Sequence, residues 1–493
     1  MTDPPILLPD DARHDIQGFL TSGYGYLPLT AYFFLRIAEV AAARRWLQAL
    51  LPSITTAAEW LRPDERAQAR LSAVNVCFTA AGLSAYGLAD AALCTFPPEF
   101  REGMTAPARS RVLGDTDGSG PDRWEFGGPD ADPIHALVLV HAKDDSTLEA
   151  VCREMRGLLD ATAGAIRESV TTDQRGFRPA GDYEPFGFRD GVAQPKILGI
   201  SGHGVPTGEF ILGYVNHYGL IPATPVVPAD LDPAAVLAPL DNPYHAGRAA
   251  RDFGRHGSFV VYRKLKQDVA GFWQFMRHEA GRLGATAETD AMIRLASKCV
   301  GRWPSGAPLA LAPDRDAPEL AAQNEFGYAA DPDGLACPIG AHVRRTHPRD
   351  DLKPYPPPQS LSMSDAHRLL RRGRVYGRPL DQPAPAAFAD DGQERGLHFL
   401  CVNASIRSQF EFVQQTWCNN PHFGGLYDNK DPLIGDHGGD GQAKSHMTIP
   451  TREGDDRTAA LPRFVTVRAG AYFFMPSLRA LRFLSRVNGA IGQ

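Results

Sequence analysis

An aromatic, β-branched run that passes without a break into a helical stretch recurs along this chain, and that recurrence limits the folds open to it. Leu29 to Ile37 (LTAYFFLRI) has the content of a strand, and the alanine-rich Ala38 to Leu51 that follows predicts a helix ended by Pro52. Ala73 to Thr79 alternates as strands do and runs into a second helix over Ala80 to Leu88. Ile134 to His141 predicts a third strand. Ser146-Thr147-Leu148-Glu149 then has the form of a capping box before a helix with Leu148, Val151, Met155, Leu158 and Leu159 on one face. The second half repeats the theme: a strand over Ser258 to Leu265 and a helix over Asp268 to Leu283, then a strand over Leu397 to Asn403 leading into a helix over Ile406 to Trp417. A last strand, Tyr472 to Met475, precedes a helix from Ser477. The order predicts an α+β fold of two units, each an antiparallel sheet with helices on one face. At 493 residues the chain exceeds what one hydrophobic core organises, which suits a pair.

The halves differ in one respect. Roughly 130 residues separate the matching strands of the second half, far beyond a loop, so an insertion rich in Pro, Asp and Arg is expected over about Gly284 to Arg395. The expected division is 1–205 and 206–493. A net charge of -6 argues against a general nucleic-acid or anionic-membrane binder and for a small partner. Seven scattered cysteines without a CxxC pair disfavour a disulfide framework and a structural zinc site. With no basic or long apolar leader in Met1 to Pro5 and beyond, a reducing, cytoplasmic setting is expected; the oligomeric state is not readable.

Three segments carry chemistry. In Glu184-Pro185-Phe186-Gly187-Phe188-Arg189-Asp190-Gly191-Val192-Ala193-Gln194-Pro195, glycines flank a carboxylate and would aim Asp190 into a cavity, the bland reading being a surface Asx-turn. In Cys337 to Arg349 a histidine, His342, sits between Ala341 and Val343 ahead of three arginines. An imidazole so placed suits iron, and arginines suit carboxylates, although a lone histidine is more often structural. Leu369 to Gly377 (LLRRGRVYG) reads most simply as a helix end with a solvated basic face.

Taken together these residues resemble the dye-decolorizing peroxidases. Gly187 to Gly191 matches that family's GxxDG motif, Cys337 to Arg349 its proximal-histidine segment, and Leu370-Arg371-Arg372-Gly373 its distal-arginine segment. The likeness runs nearly end to end, through Ile16-Gln17-Gly18, Gly23-Tyr24, Phe78 to Leu83, Phe100 to Met104, Gly396 to Asn403 and Tyr472 to Pro476. The length and insertion are most like the longer, fungal-type branch. Gly373 stands where some relatives carry asparagine, and Val375 where proline is frequent.

The resemblance implies two ferredoxin-like domains sandwiching a pocket for haem b (iron protoporphyrin IX), and reduction of hydrogen peroxide to water through an oxyferryl state at the expense of dyes, phenols or similar donors. It implies His342 as the iron ligand, with Asp431 as its second-nitrogen partner. Asp190 would be the distal acid–base and Arg371 the charge stabiliser and a propionate partner. Gly191, Val192, Ala193 and Gln194 would pass the haem edge, Arg344 would meet a propionate, and Leu397 and Phe399, alternate residues of one strand, would narrow the distal pocket. A carboxylate base further implies activity favouring acidic pH. Bulky dyes would give up electrons at the surface, where six tryptophans (Trp46, Trp60, Trp124, Trp273, Trp303, Trp417) are candidates, Trp417 and Tyr376 lying nearest in sequence to the pocket segments. Two rivals remain: a haem-binding or haem-delivery protein with little turnover, against which the Asp190/Arg371 pair speaks, and a non-haem α+β protein, which a Soret band would exclude.

Overall fold

Side chains stiff at Cβ favour extended backbone, and the runs above become strands. The computed structural model describes residues 8–59, 70–202, 204–242, 244, 247, 249–282, 288–379, 390–438 and 445–486. The first half supplies β1 (Leu29–Ile37), β2 (Ser72–Phe78), β3 (Ala136–Ala142) and the short β4 (Ile166–Glu168) and β5 (Arg175–Phe177). The second supplies β6 (Ser258–Gln267), β7 (Leu370–Arg371), β8 (Arg374–Gly377), β9 (Arg395–Asn403) and β10 (Val465–Met475). Helices α1 (Val40–Leu50), α2 (Asp145–Asp160), α3 (Val269–Arg282), α4 (Glu288–Val300), α5 (His342–Thr346) and α6 (Leu478–Arg486) follow in chain order.

Two local expectations are corrected. The cap of α2 is Asp144, whose Oδ1 accepts from the Thr147 amide at 2.9 Å, so the box starting at Ser146 does not form. Its Glu149 instead pairs with Arg175 at 2.7 Å. The helix expected over Ile406 to Trp417 is wound as two π-helical segments, Arg407–Glu411 and Val413–Cys418, a form that clusters at functional sites.

The sheets of the two halves do not stay apart. Pairing runs β9–β8–β5–β1–β3–β2–β10–β6, and β6 pairs again with β9, so the sheet closes into a barrel. Each half-sheet alone would leave edges of unpaired N–H and C=O groups, and closure removes them. The seams are narrow: Val375 opposite Phe177, and Phe474 opposite Phe78. Gln17, fully buried, bolts the second seam, its Nε2 donating to Val76 O and Pro476 O and its Oε1 accepting from Val76 N.

Alternation along each strand gives two environments. Tyr32, Phe34, Leu137, Leu139, Val260, Tyr262, Leu400 and Phe473 fill the barrel. Their neighbours Phe33, Leu35, Val74, Val138, Val261 and Phe474 face outward under α1, α2 and α6. A third core forms where α3 and α4 pack with Phe186, Phe188, Cys337 and Ala341. Among the described residues no helix is long and apolar enough to cross a membrane.

Candidate active site

A cavity of about 270 Å³ opens on the outer face of β6, β9 and β10, where Arg263, Leu265, Gln267, Leu397, Phe399, Val465 and Val467 line it. Loops of the first half, near Leu113 to Ser119 and Glu184 to Ala193, close over this face.

His342 opens α5 and reaches the cavity wall. Its Nδ1 lies 2.9 Å from Asp431 Oδ2, while Asp431 is fully buried and its other oxygen accepts from the amides of Leu433 and Ile434. A carboxylate accepts only, so Nδ1 carries the proton and Nε2 keeps its lone pair for the cavity. Burial alone would raise the Asp431 carboxyl, but its contact with His342, the Ile434 amide and Arg345 hold it below its ordinary value.

Elsewhere in the same lining, Asp190 Oδ1 accepts from Arg371 Nη1 at 2.7 Å, although 181 residues separate them. Gly187 and Gly191 have φ of 93° and 82°, which a residue with a Cβ adopts only under strain, so the glycines set the loop's course. The loop is then tied to β7: Arg371 N donates to Gln194 Oε1 at 3.0 Å and Arg368 Nη2 donates to Ala193 O at 3.1 Å. Burial pushes the Asp190 carboxyl up, but Arg371 and the Gly191 amide outweigh it and hold the group below its ordinary value. Val192 and Ala193 line the cavity, as do Leu397 and Phe399. Gly191 and Gln194 are not lining residues; Gly191 turns the chain and Gln194 braces Arg371.

Arg344 is corrected. Its guanidinium is buried away from the cavity, held by Asp331, Asp351 and Cys337 O and stacked 4.6 Å from the Tyr328 ring centre. On α5 it lies two residues from His342, hence on the opposite face. The basic run at 368–374 is not a solvated helix end either. Arg368 and Arg371 line the cavity, whereas Arg372 donates to Phe19 O and Arg374 to Gly23 O inside the molecule. A Cβ at Gly373 would come within 2.6 Å of His398 O, so a larger residue has no room there.

Several cavity residues were not singled out by sequence. Arg189, adjacent to Asp190 in the motif, lines the wall with its Nε buried and unpaired among the described residues. Arg302, Arg349 and His347 line it too. Burial and the neighbouring Arg368 pull His347 down to about 3, so it is neutral. Glu184, at the head of the motif, clamps the loop by accepting from Phe186 N and Phe188 N at 3.0 Å each and from Gln267 at 2.7 Å. Burial pushes its carboxyl up to about 7. The available signal was the density of arginines in three distant segments.

The donor set suits haem: one imidazole backed by a buried carboxylate, a largely apolar wall and an unpaired arginine nitrogen suited to a propionate. The tryptophans, however, are not surface groups. Trp46, Trp124, Trp273, Trp303 and Trp417 are all buried, Trp417 beneath Phe412 and Phe423, and Tyr376 is buried as well. Trp60 lies outside the described residues.

Comparison with known proteins accords with this geometry. Residues 15–178 match the model of the DyP dimeric alpha+beta barrel domain. A dye-decolorizing peroxidase of Mycena epipterygia is 32% identical over 91% of this chain and 82% of its own length. A multifunctional dye peroxidase of Amycolatopsis sp. is 31% identical over 92% and 91%. Among solved structures, a dye-decolorizing peroxidase in complex with 2,6-dimethoxyphenol superposes with a TM-score of 0.75, at 26% identity over 97% of this chain and 100% of the other. With a closed α+β barrel, a carboxylate-braced histidine and an Asp/Arg pair facing one cavity, and with sequence likeness along nearly its whole length, the chain belongs to the dye-decolorizing peroxidase family and is a haem-dependent peroxidase.

Proposed function

We propose that this cavity reduces hydrogen peroxide to water and draws the electrons from dyes, phenols or similar one-electron donors. The observation that carries the reading is the 2.7 Å contact of Asp190 with Arg371, in the same cavity wall as a histidine backed by Asp431. Haem b held there by His342 would supply the redox chemistry that couples peroxide to one-electron donors. His342 Nε2 is the ligand atom, and Asp431, by accepting the Nδ1 proton, makes the imidazole more electron-rich. Arg189 is the propionate partner in place of Arg344, with Arg349 and Arg302 adding positive charge.

Asp190, ionised beside Arg371, takes the proton from the near oxygen of peroxide and delivers it to the far one, which leaves as water. Arg371 keeps one N–H on Asp190 and offers others to the oxygen on which negative charge grows. Gln194 holds the Arg371 backbone, so acid and cation keep their separation. Leu397 and Phe399 leave room for small ligands and keep water scarce around the exchanged proton. The seven free cysteines support a reducing, cytoplasmic setting.

The test uses three variants. Asp190→Asn should keep its Soret band and lose about 10²- to 10⁴-fold in peroxide-driven dye turnover. Arg371→Leu should lose a comparable amount. His342→Ala should lose the Soret band's axial-histidine signature. Undiminished turnover in both distal variants overturns the mechanism; an unchanged spectrum without His342 overturns the ligand assignment.

A further inference from the structure

Directly behind the cavity wall, inside the barrel, lies a cluster that the peroxide chemistry does not use. Along β6, Arg263 and Leu265 face the cavity and Tyr262 and Lys264 face inward; along β9, Leu397 and Phe399 face the cavity and His398 and Leu400 face inward. The register sets Tyr262 opposite Leu400 and Lys264 opposite His398, so Tyr262 and His398 are diagonal neighbours on the inner face, within reach of long side chains. They meet: Tyr262 Oη is 2.8 Å from His398 Nδ1. His398 Nε2 is 3.2 Å from Arg175 O, a carbonyl that can only accept. That contact puts the ring proton on Nε2, so Nδ1 is the acceptor and the Tyr262 hydroxyl the donor. Both residues are buried, with exposures of 0% and 1%.

Oxidising a phenol to a neutral radical requires its proton to leave with the electron, and in a dry interior a separated charge is costly. A tyrosine hydrogen-bonded to a neutral imidazole has a proton acceptor already in place. Burial and the nearby Lys264 ammonium pull His398 down to about 3, so it is neutral and free to accept. Other rings surround the pair: Tyr32 lies 4.7 Å and Tyr376 5.1 Å from the His398 ring, centre to centre. Tyr376 in turn donates to Glu394, which is exposed at the end of β9. This aromatic column, one strand-thickness behind Leu397 and Phe399, is a redox-competent path leading off the cavity wall, beside Tyr328, which lines the cavity itself.

We infer that Tyr262 and His398 form a proton-coupled redox pair. Tyr262 gives one electron to the peroxide-oxidised haem while its phenolic proton crosses to His398 Nδ1, leaving a neutral phenoxyl radical hydrogen-bonded to an imidazolium. An electron from a reducing donor and the same proton returning restore the pair. The pair thus holds one oxidising equivalent inside the barrel, away from the haem, when no donor is at hand. The inference rests on the peroxidase reading, and the two fail differently.

The haem-loaded enzyme is mixed with hydrogen peroxide without donor, frozen within milliseconds and examined by electron paramagnetic resonance, with peroxide consumption measured in parallel. A tyrosyl signal that narrows on ring-deuteration of tyrosine is expected, to be lost in Tyr262→Phe. His398→Gln, whose amide can accept the hydrogen bond but cannot take the proton, should lose it too. In the unsubstituted protein, ¹⁵N-labelled histidine should give a nitrogen coupling to the radical, a readout that needs no variant to fold. Peroxide consumed normally with no such coupling, or with an unchanged tyrosyl signal in Tyr262→Phe, overturns the relay alone. Failure to consume peroxide at all would instead overturn the peroxidase reading.

Discussion

A carboxylate that works as a base must be ionised at the pH of the reaction, and at Asp190 this depends chiefly on Arg371. Arg371, with help from the Gly191 amide and His342, outweighs the cost of burial and holds the folded pKa below its ordinary value of 3.8, so the ionised form persists as pH falls. The acid limb of the rate profile for peroxide should therefore lie below the ordinary carboxylate range in the wild type. Arg371→Leu removes the largest of the groups opposing burial and should move that limb to higher pH, which stopped-flow rates across pH would read; an unmoved limb would mean that another group titrates there. That Asp190, His342 and Arg371 line one cavity, with Asp431 behind His342, could be anticipated because each lies in a short local motif. Arg344 was not, because sequence proximity to His342 says nothing about direction: two residues along a helix is more than half a turn, and the side chain ends against Tyr328 instead of the cavity. Leu397 and Phe399 both line the cavity for the complementary reason, since alternate residues of a strand share a face.

Elements are joined here by polar groups that pattern does not reveal. Glu209 is buried, accepts from the His217 amide at 2.8 Å, and its own carbonyl accepts from Ala404 at the end of β9. Burial pushes its carboxyl from 4.5 up to about 7. A raised acid pKa means that the folded state holds the proton more tightly than the unfolded one, so its stabilising effect is complete below pH 4.5 and is lost as pH rises towards 7. Wild-type stability should fall by up to about 3 kcal/mol across that window relative to Glu209→Gln, which cannot titrate. Chemical denaturation of both proteins at pH 5 and pH 8 measures the difference, and parallel curves would mean that Glu209 is ionised in the fold. The long strands were legible, β1 at Leu29–Ile37 to the residue, but β10 starts at Val465 instead of Tyr472, and the short β4, β5, β7 and β8 were not foreseen. The π-helical winding after β9 was not, because a π turn and an α turn share one apolar pattern.

The barrel is a property of the whole molecule, and its closure was hidden from a reading that moves along the chain. Which edge of one half-sheet meets which edge of the other is decided by contacts hundreds of residues apart, such as Gln17 to Pro476. Gln17→Leu would leave buried strand groups of that seam without partners and should cost on the order of 3 kcal/mol in urea unfolding; a loss within error would mean that the seam is held by packing alone. We propose a boundary near residue 205. Fragments 1–205 and 206–493 expressed separately should aggregate through their open edges and show no Soret band, while co-expression should recover one. A coloured, monomeric 206–493 fragment would show that the second half stands alone. The cavity also has a history within the lifetime of each molecule. Its wall takes residues from Leu113 through to Val467, so the site does not exist while the ribosome is still adding β10, and haem must be acquired after synthesis by a finished chain.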